Sequence, residues 1–154
     1  MNPEISDPCL PQGATFEQNG FEFVGSGNYS SCYNSLKPLL HKVNFVLLIL
    51  NFTKRIKDTC LADDATCSLD GHYQPPMNGI GEFFGFSEFY YTSSDCLGIA
   101  GRWNLDLFQK ESAAYCATEW SVLKSNLALG KYKADENRLR QQCFKSAWVP
   151  VSIF

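Results

Sequence analysis

The side chains best placed to do chemistry in this 154-residue chain are aromatic rather than acid–base. Phe83 to Tyr91 reads FFGFSEFYY, six aromatics in nine positions. Rings at this density either build a core or offer flat faces on which a nucleobase stacks, a contact worth roughly 1–3 kcal/mol in single-strand binders. A neighbouring arginine would add cation–π attraction. Composition alone leaves both readings open. Acid–base machinery is sparse by comparison. The histidines are His41 and His72, neither with a positioned partner, and His72 beside the Asp70-Gly71 turn reads as a surface residue. No serine stands in a Gly-x-Ser-x-Gly context. Asp63, Asp64, Glu82 and Glu88 lack the spacing of a catalytic carboxylate pair and read as solvated charge.

Gly25-Ser26-Gly27-Asn28-Tyr29-Ser30 lies between a strand pattern and a helix pattern, like the start of a phosphate-cradling loop. It lacks the third glycine of the dinucleotide fingerprint and the Gly-Lys-Ser/Thr of a P-loop, so it reads as a tight turn that caps a helix.

Seven cysteines are the strongest compositional signal. No CxxC or CxxH spacing occurs, which argues against structural zinc. What remains is reduced thiols, or disulfides formed in an oxidising lumen with one thiol left over. Glycosylation acceptors at Asn28 (Asn-Tyr-Ser) and Asn51 (Asn-Phe-Thr) lean toward the lumen. A net charge of −3 with no basic stripe disfavours nucleic-acid and anionic-membrane partners. The apolar run Val43 to Leu50 is less than half of the roughly 20 residues that a membrane-spanning helix needs. The opening Met1-Asn2-Pro3-Glu4-Ile5-Ser6 has no basic n-region and no apolar h-region. A secretory composition without a secretory signal leads to the expectation of a truncated chain.

The elements that must position these side chains can be sketched from pattern. Residues 1–20 read as irregular lead-in, and Phe21 to Val24 alternates as a half-buried strand. Asn28 or Ser30 caps a helix from Tyr29 through Leu36, Leu39 and Leu40, with Pro38 a kink or an early end. The run 43–50 is a buried strand or more helix, and residues 54–65 are loop-like. Asp70-Gly71, Pro75-Pro76 and Asn78-Gly79 continue the loop, and Asp95 to Gly101 suggests a short helix. Asn104 caps the clearest helix, with Leu105, Phe108, Ser112, Cys116, Trp120, Leu123 and Leu127 on one face until Gly130 ends it. A second helix covers about Asp135 to Trp148, with Leu139, Cys143 and Ala147 in register. The two form a hairpin whose cysteines face each other.

Several segments resemble one family, in that family's order. They are Asp7-Pro-Cys-Leu-Pro11, Gly25-x-Gly-x-Tyr-x-x-Cys32, Cys67-Ser-Leu-Asp-Gly-His-Tyr-Gln-Pro-Pro76, Phe84-Gly-Phe-Ser-Glu-Phe-Tyr-Tyr-Thr92, Tyr115-Cys-Ala-Thr-Glu-Trp-Ser121 and Arg138-Leu-Arg-Gln-Gln-Cys-Phe-Lys-Ser-Ala-Trp148. Together they resemble the nucleoside triphosphate diphosphohydrolases, or apyrases, and most of all the Golgi and lysosomal branch that favours uridine and related diphosphates.

The resemblance implies an α/β fold, part of one lobe of an actin-like (ribonuclease-H-like) two-lobed enzyme, with the disulfide-bonded helix hairpin inside it. It implies Ca²⁺ or Mg²⁺ in the full-length family, a nucleoside di- or triphosphate substrate, and a secretory-pathway location in the Golgi lumen, lysosome or vacuole; full-length relatives are often membrane-anchored. The family's Asp-x-Gly-Ser-Ser and Asp-Leu-Gly-Gly-Ala-Ser phosphate loops and its catalytic glutamate motif are missing from these residues. Residues 1–154 are therefore expected to be a single partial domain from the second lobe, with the first lobe and the chain end missing, carrying no catalytic residue and no metal ligand. By position, base recognition falls to Phe89, Tyr90 and Tyr91, above all Tyr91, and to Arg138. Relatives often carry an aromatic just before the following cysteine, where this chain has Gln141 and Gln142. The family pattern also implies disulfides Cys9–Cys32, Cys60–Cys67 and Cys116–Cys143, with Cys96 free. A rival reading is a non-catalytic, disulfide-bonded interaction module of the secretory pathway.

Overall fold

The computed structural model describes residues 2–40 and 81–153. The apolar run at 43–50, the turns around Asp70-Gly71, both histidines, Asn51 and the Cys60–Cys67 pair lie outside the described residues.

The chain opens on a three-stranded sheet rather than irregular lead-in. Strand β1 (Glu4–Asp7) runs parallel to β3 (Phe21–Gly25), and β2 (Thr15–Gln18) pairs antiparallel on the other side, giving the order β1-β3-β2. The β2–β3 register (Thr15 with Val24, Gln18 with Phe21) leaves a two-residue turn, Asn19-Gly20. Both of its residues have positive φ, 51° and 80°. Asn-Gly is the pair that tolerates positive φ best, and a turn of this kind matches the right-handed twist of the flanking strands.

Helix α1 (Tyr29–Leu36) is capped by Asn28, whose Oδ1 accepts the Ser31 N–H at 3.0 Å. The α-helix stops where Pro38 approaches, and a 3₁₀ turn takes over at Lys37–Leu40. Beyond residue 80 the elements are α2 (Glu88–Tyr91), a π turn (Thr92–Cys96), α3 (Leu105–Cys116), α4 (Trp120–Ala128) and α5 (Glu136–Ile153). The short helix expected at 95–101 thus lies earlier, at 88–96. Asn104 caps α3 as its type and position require, accepting the Leu107 N–H at 2.9 Å.

The single helix expected from 105 to 129 is two, and the break has a definite cause. In a continuous helix the Trp120 N–H would bond the Cys116 carbonyl, four residues back. Instead the Gln12 backbone sits between them: Gln12 N donates to Cys116 O at 2.9 Å, and Trp120 N donates to Gln12 O at 2.8 Å. The lead-in loop is thereby stitched into the helical ladder without leaving either backbone group unpaired.

Helix α5 continues past Trp148 to Ile153 despite the internal Pro150. Proline has no N–H, so the carbonyl four residues earlier, that of Ser146, loses its helical donor. The buried Tyr29 hydroxyl on α1 donates to that oxygen at 3.5 Å. Burial, with a smaller contribution from Tyr33, pushes Tyr29 up to about 12, so the hydroxyl stays a neutral donor. Tyr29→Phe is expected to cost about 1 kcal/mol in urea unfolding. The cost should shrink in a Pro150→Ala background, where the helix supplies its own donor. Equal costs in the two backgrounds would show that the hydroxyl serves something else.

The core gathers Tyr29, Cys32 and Leu36 of α1, Tyr115 and Cys116 of α3, Leu123 of α4, and Leu139, Cys143, Ala147 and Val151 of α5. Disulfides join Cys9 to Cys32 and Cys116 to Cys143, the second binding α3 to α5 as the facing cysteines of the helix pair suggest. The Tyr115 hydroxyl crosses the same seam to donate to Leu139 O at 3.0 Å. The described residues are therefore a mixed α/β arrangement, with a small sheet on one side of a disulfide-bonded helical core. No helix among them is long and apolar enough to cross a membrane.

Candidate functional site

The Gly25–Ser30 turn lies against the chain's own backbone. Its N–H groups are already engaged: Gly25 N donates to Ala14 O at 2.7 Å, Ser26 N to Asp7 O at 3.0 Å and Gly27 N to Leu10 O at 3.1 Å. Donors committed in this way do not cradle a phosphate, and the turn-and-cap reading holds. Asn28 is exposed, and its cap uses only the side-chain oxygen, leaving the amide nitrogen pointing free of that bond. A glycan at Asn28 is compatible with the fold.

The aromatic segment is not core. Phe83, Phe84 and Phe86 are 65%, 81% and 78% exposed, and Phe89, Tyr90 and Tyr91 remain exposed as well. Helix α2 is only one turn long and starts from Ser87, which has a positive φ of 55°. It flows into the π turn, whose wider spacing redirects the chain toward α5. Thr92 is buried at this junction, and its carbonyl accepts from Gln142 Nε2 at 2.9 Å.

This anchoring brings Tyr91 to Arg138. The guanidinium carbon lies 5.1 Å from the Tyr91 ring centroid, within cation–π range. Arg138 NH2 also meets Asp95 Oδ2 at 2.7 Å, and NH1 reaches Lys133 O at 3.4 Å. Tyr90 stands edge-on to Tyr91, with centroids 6.0 Å apart. Tyr90, Tyr91 and Arg138 therefore share one surface. Phe89 does not join them directly. It lines a mostly apolar groove of about 580 Å³, bounded by Cys9, Leu10 and Phe16 from the sheet end and by Gln141, Phe144 and Trp148 of α5.

The two glutamines before Cys143 part company. Gln141 is exposed on the groove, whereas Gln142 is buried and holds Thr92 O and, at 3.0 Å, Ser146 Oγ. Gln142 shapes the site from beneath rather than facing a ligand. Sequence reasoning read Asp95 only as the start of a short helix, not as part of the site. Asp95 lies in the π turn, a feature whose side-chain directions spacing does not announce.

Burial pushes the half-buried Cys96 thiol, which forms no disulfide, up to about 11, so it is a neutral thiol near pH 7. Burial also raises Tyr115 far above its usual range. Ca²⁺ and Mg²⁺ require six or more oxygen ligands, several of them carboxylates or water. Among the described residues no group of three or more His, Cys, Asp or Glu side chains comes together.

Residues 1–154 match the model of the GDA1/CD39 (nucleoside phosphatase) family over their whole length. The chain is 38% identical over 152 residues to ectonucleoside triphosphate diphosphohydrolase 4 of Mus musculus, covering 94% of this chain and 22% of that protein. It is 39% identical over 155 residues to ectonucleoside triphosphate diphosphohydrolase 7 of Homo sapiens, covering 96% and 22%. With the nucleoside-diphosphatase mig-23 of Caenorhabditis elegans it shares 35% identity over 154 residues, covering 94% and 26%. The chain thus spans about a quarter or less of the length of the curated relatives it matches.

Proposed function

Because the chain belongs to the GDA1/CD39 (nucleoside phosphatase) family, we propose that it is the base-recognising part of an apyrase-type nucleoside di- and triphosphate phosphohydrolase. One observation carries this reading: the Arg138 guanidinium lies over the Tyr91 ring within cation–π range at an exposed surface. A base stacked on the exposed part of the ring, beside the cation, takes hydrogen bonds from the guanidinium edge. Arginine suits this role because its donors form a rigid planar fork. Tyr90 borders the platform, and Phe89 extends the apolar surface toward the neighbouring groove.

The phosphate chemistry of such an enzyme rests on preorganised charge at the transferred phosphoryl group. The glycine-rich loops that would supply it are absent from this sequence, and no three His, Cys, Asp or Glu side chains come together among the described residues. In this reading the chain is a partial second lobe of an actin-like fold, and Ca²⁺ or Mg²⁺ is held by parts of the enzyme outside these residues. The two disulfides are consistent with an oxidising compartment, and within the secretory pathway we place the protein in the Golgi lumen or lysosome. The rival interaction-module reading shares the disulfides but gives no reason for an arginine held against an exposed tyrosine.

The test is calorimetric titration of uridine diphosphate into the 154-residue chain and its variants. Tyr91→Ala is expected to weaken binding about tenfold, the lower part of the range for one stacked base, and Arg138→Ala comparably. Binding that is indifferent to both substitutions would favour the module. Metal-dependent hydrolysis of uridine diphosphate by the chain alone would overturn the division of labour.

A further inference from the structure

We propose that Asp95 is a positioning residue for base recognition, holding the Arg138 guanidinium against Tyr91; the proposal rests on the reading of Tyr91 and Arg138 as base contacts. Arginine is long and flexible, and without an anchor its head group would sample many orientations over an exposed ring. Here two acceptors fix it. Asp95 Oδ2 takes NH2 at 2.7 Å, and the Lys133 carbonyl takes NH1 at 3.4 Å. Two bonds to different nitrogens define the plane of the fork as well as its position. The anchors are tied to each other, because Lys133 N donates to Asp95 O at 3.0 Å. The Asp95 side chain is only 11% exposed against 33% for Arg138, so the carboxylate lies beneath and the cation above it.

The position of Arg138 on α5 supports a role in recognition. It is the third residue of the helix, where exposed N–H groups and the helix dipole disfavour a cation. A residue chosen for helix stability at that position would be acidic. Asp135 already serves the helix end, accepting the Arg138 N–H at 2.7 Å. The nearby Glu136 and Glu88 carboxylates are engaged by Arg140 and Lys145. Asp95 is therefore the carboxylate that faces the Arg138 head group among the described residues. Tyr91 leads directly into the π turn that carries Asp95, so platform and anchor belong to one short segment, pinned to α5 through Gln142 and Thr92. The guanidinium has five N–H donors, and the two anchored bonds leave others for a ligand.

Two readouts on the intact chain test this. In the ligand-free protein, the Arg138 side-chain protons are expected to show an upfield ring-current shift in NMR that disappears in Tyr91→Leu. The same shift should be lost in Asp95→Ala, reduced in Asp95→Asn and retained in Asp95→Glu. In parallel, uridine diphosphate affinity should fall about tenfold in Asp95→Ala and recover largely in Asp95→Glu, with melting temperatures close to wild type. Should the alanine variant fail to fold, the asparagine variant, which keeps the shape and loses the charge, reads the same two quantities. A shift that persists undiminished in Asp95→Ala or Asp95→Asn overturns the proposal, as does unchanged affinity when the shift is lost. If Tyr91→Ala weakens binding and Asp95→Ala does not, Asp95 alone has been misassigned. If the wild-type chain binds no uridine diphosphate, the base-recognition reading fails, and the role of Asp95 in it fails as well.

Discussion

Replacing Cys116 and Cys143 together by alanine is expected to lower the unfolding free energy by about 3.5 kcal/mol from chain entropy alone, the value for a closed loop of this length. The bridge spans a sequence separation of 27, and the Cys9–Cys32 bridge spans 23. Loop-closure entropy grows only with the logarithm of length, so on that ground the two bridges differ by a few tenths of a kcal/mol at most. Packing distinguishes them. Cys116 and Cys143 are both fully buried within the helical core, whereas Cys9 is only partly buried against its edge. Removing two core sulfurs adds a cavity cost to the entropic one. The Cys116 carbonyl also holds the Gln12 backbone, so slack at the end of α3 is passed on to the sheet. Urea unfolding of the two double variants should therefore give a clearly larger loss for Cys116/Cys143 than for Cys9/Cys32. Equal losses would mean that the seam between α3 and α5 contributes only as a tether. A stability of the Cys116/Cys143 variant matching wild type would show that the helix pair does not need its bridge at all.

The parts of the fold legible in the sequence are those decided by local chemistry. Asn104 and Asn28 are helix caps because a short side-chain oxygen there satisfies an otherwise free N–H. Leu139, Cys143 and Ala147 recur at helical spacing because one face of α5 is dry. The Asn19-Gly20 hairpin was equally legible; its signal was outweighed by the proline- and glycine-rich texture around it. The break between α3 and α4 was not legible. Residues 105–129 keep a helical apolar period throughout, and what interrupts them is the backbone of Gln12, more than a hundred positions earlier. Nor does periodicity announce that a helix passes through Pro150, since the partner that relieves it, the Tyr29 hydroxyl, also comes from far away in sequence.

The site divides along the same line. That Tyr91 and Arg138 belong together is what the family resemblance implies, and in the structure the guanidinium lies within cation–π range of the ring. That Phe89 turns to a separate groove follows from the direction in which a one-turn helix presents consecutive side chains, about 100° apart. The residue beneath the arginine, Asp95, depends on a π turn. Such turns have no reliable sequence signature, because one inserted residue re-aims the side chains without changing their types.

Gly27→Ala is expected to be strongly damaging, costing about 2–5 kcal/mol, and the comparison with Gly20→Ala shows why. Both glycines have a left-handed backbone, with φ of +62° and +80°, where an L side chain costs about 1–2 kcal/mol. At Gly20 an added Cβ meets nothing within 4 Å, so that conformational cost is the whole expectation. At Gly27 the same atom would collide with the Cys116 carbonyl oxygen and press on the Gln12 nitrogen, which lies 3.0 Å away. Those two groups are bonded to each other, so neither can move without opening the joint that splices the lead-in loop into the helical ladder. Forced displacement of packed backbone adds roughly 1–3 kcal/mol to the conformational cost. Urea midpoints of the two alanine variants, with amide exchange at Trp120 as a local probe, separate the contributions. Gly20→Ala should unfold slightly earlier than wild type with Trp120 protected. Gly27→Ala should unfold much earlier, or not fold, with that amide exposed. A Gly27→Ala protein as stable as Gly20→Ala would mean that the loop yields freely. In that case close packing at the joint would no longer account for the glycine at position 27.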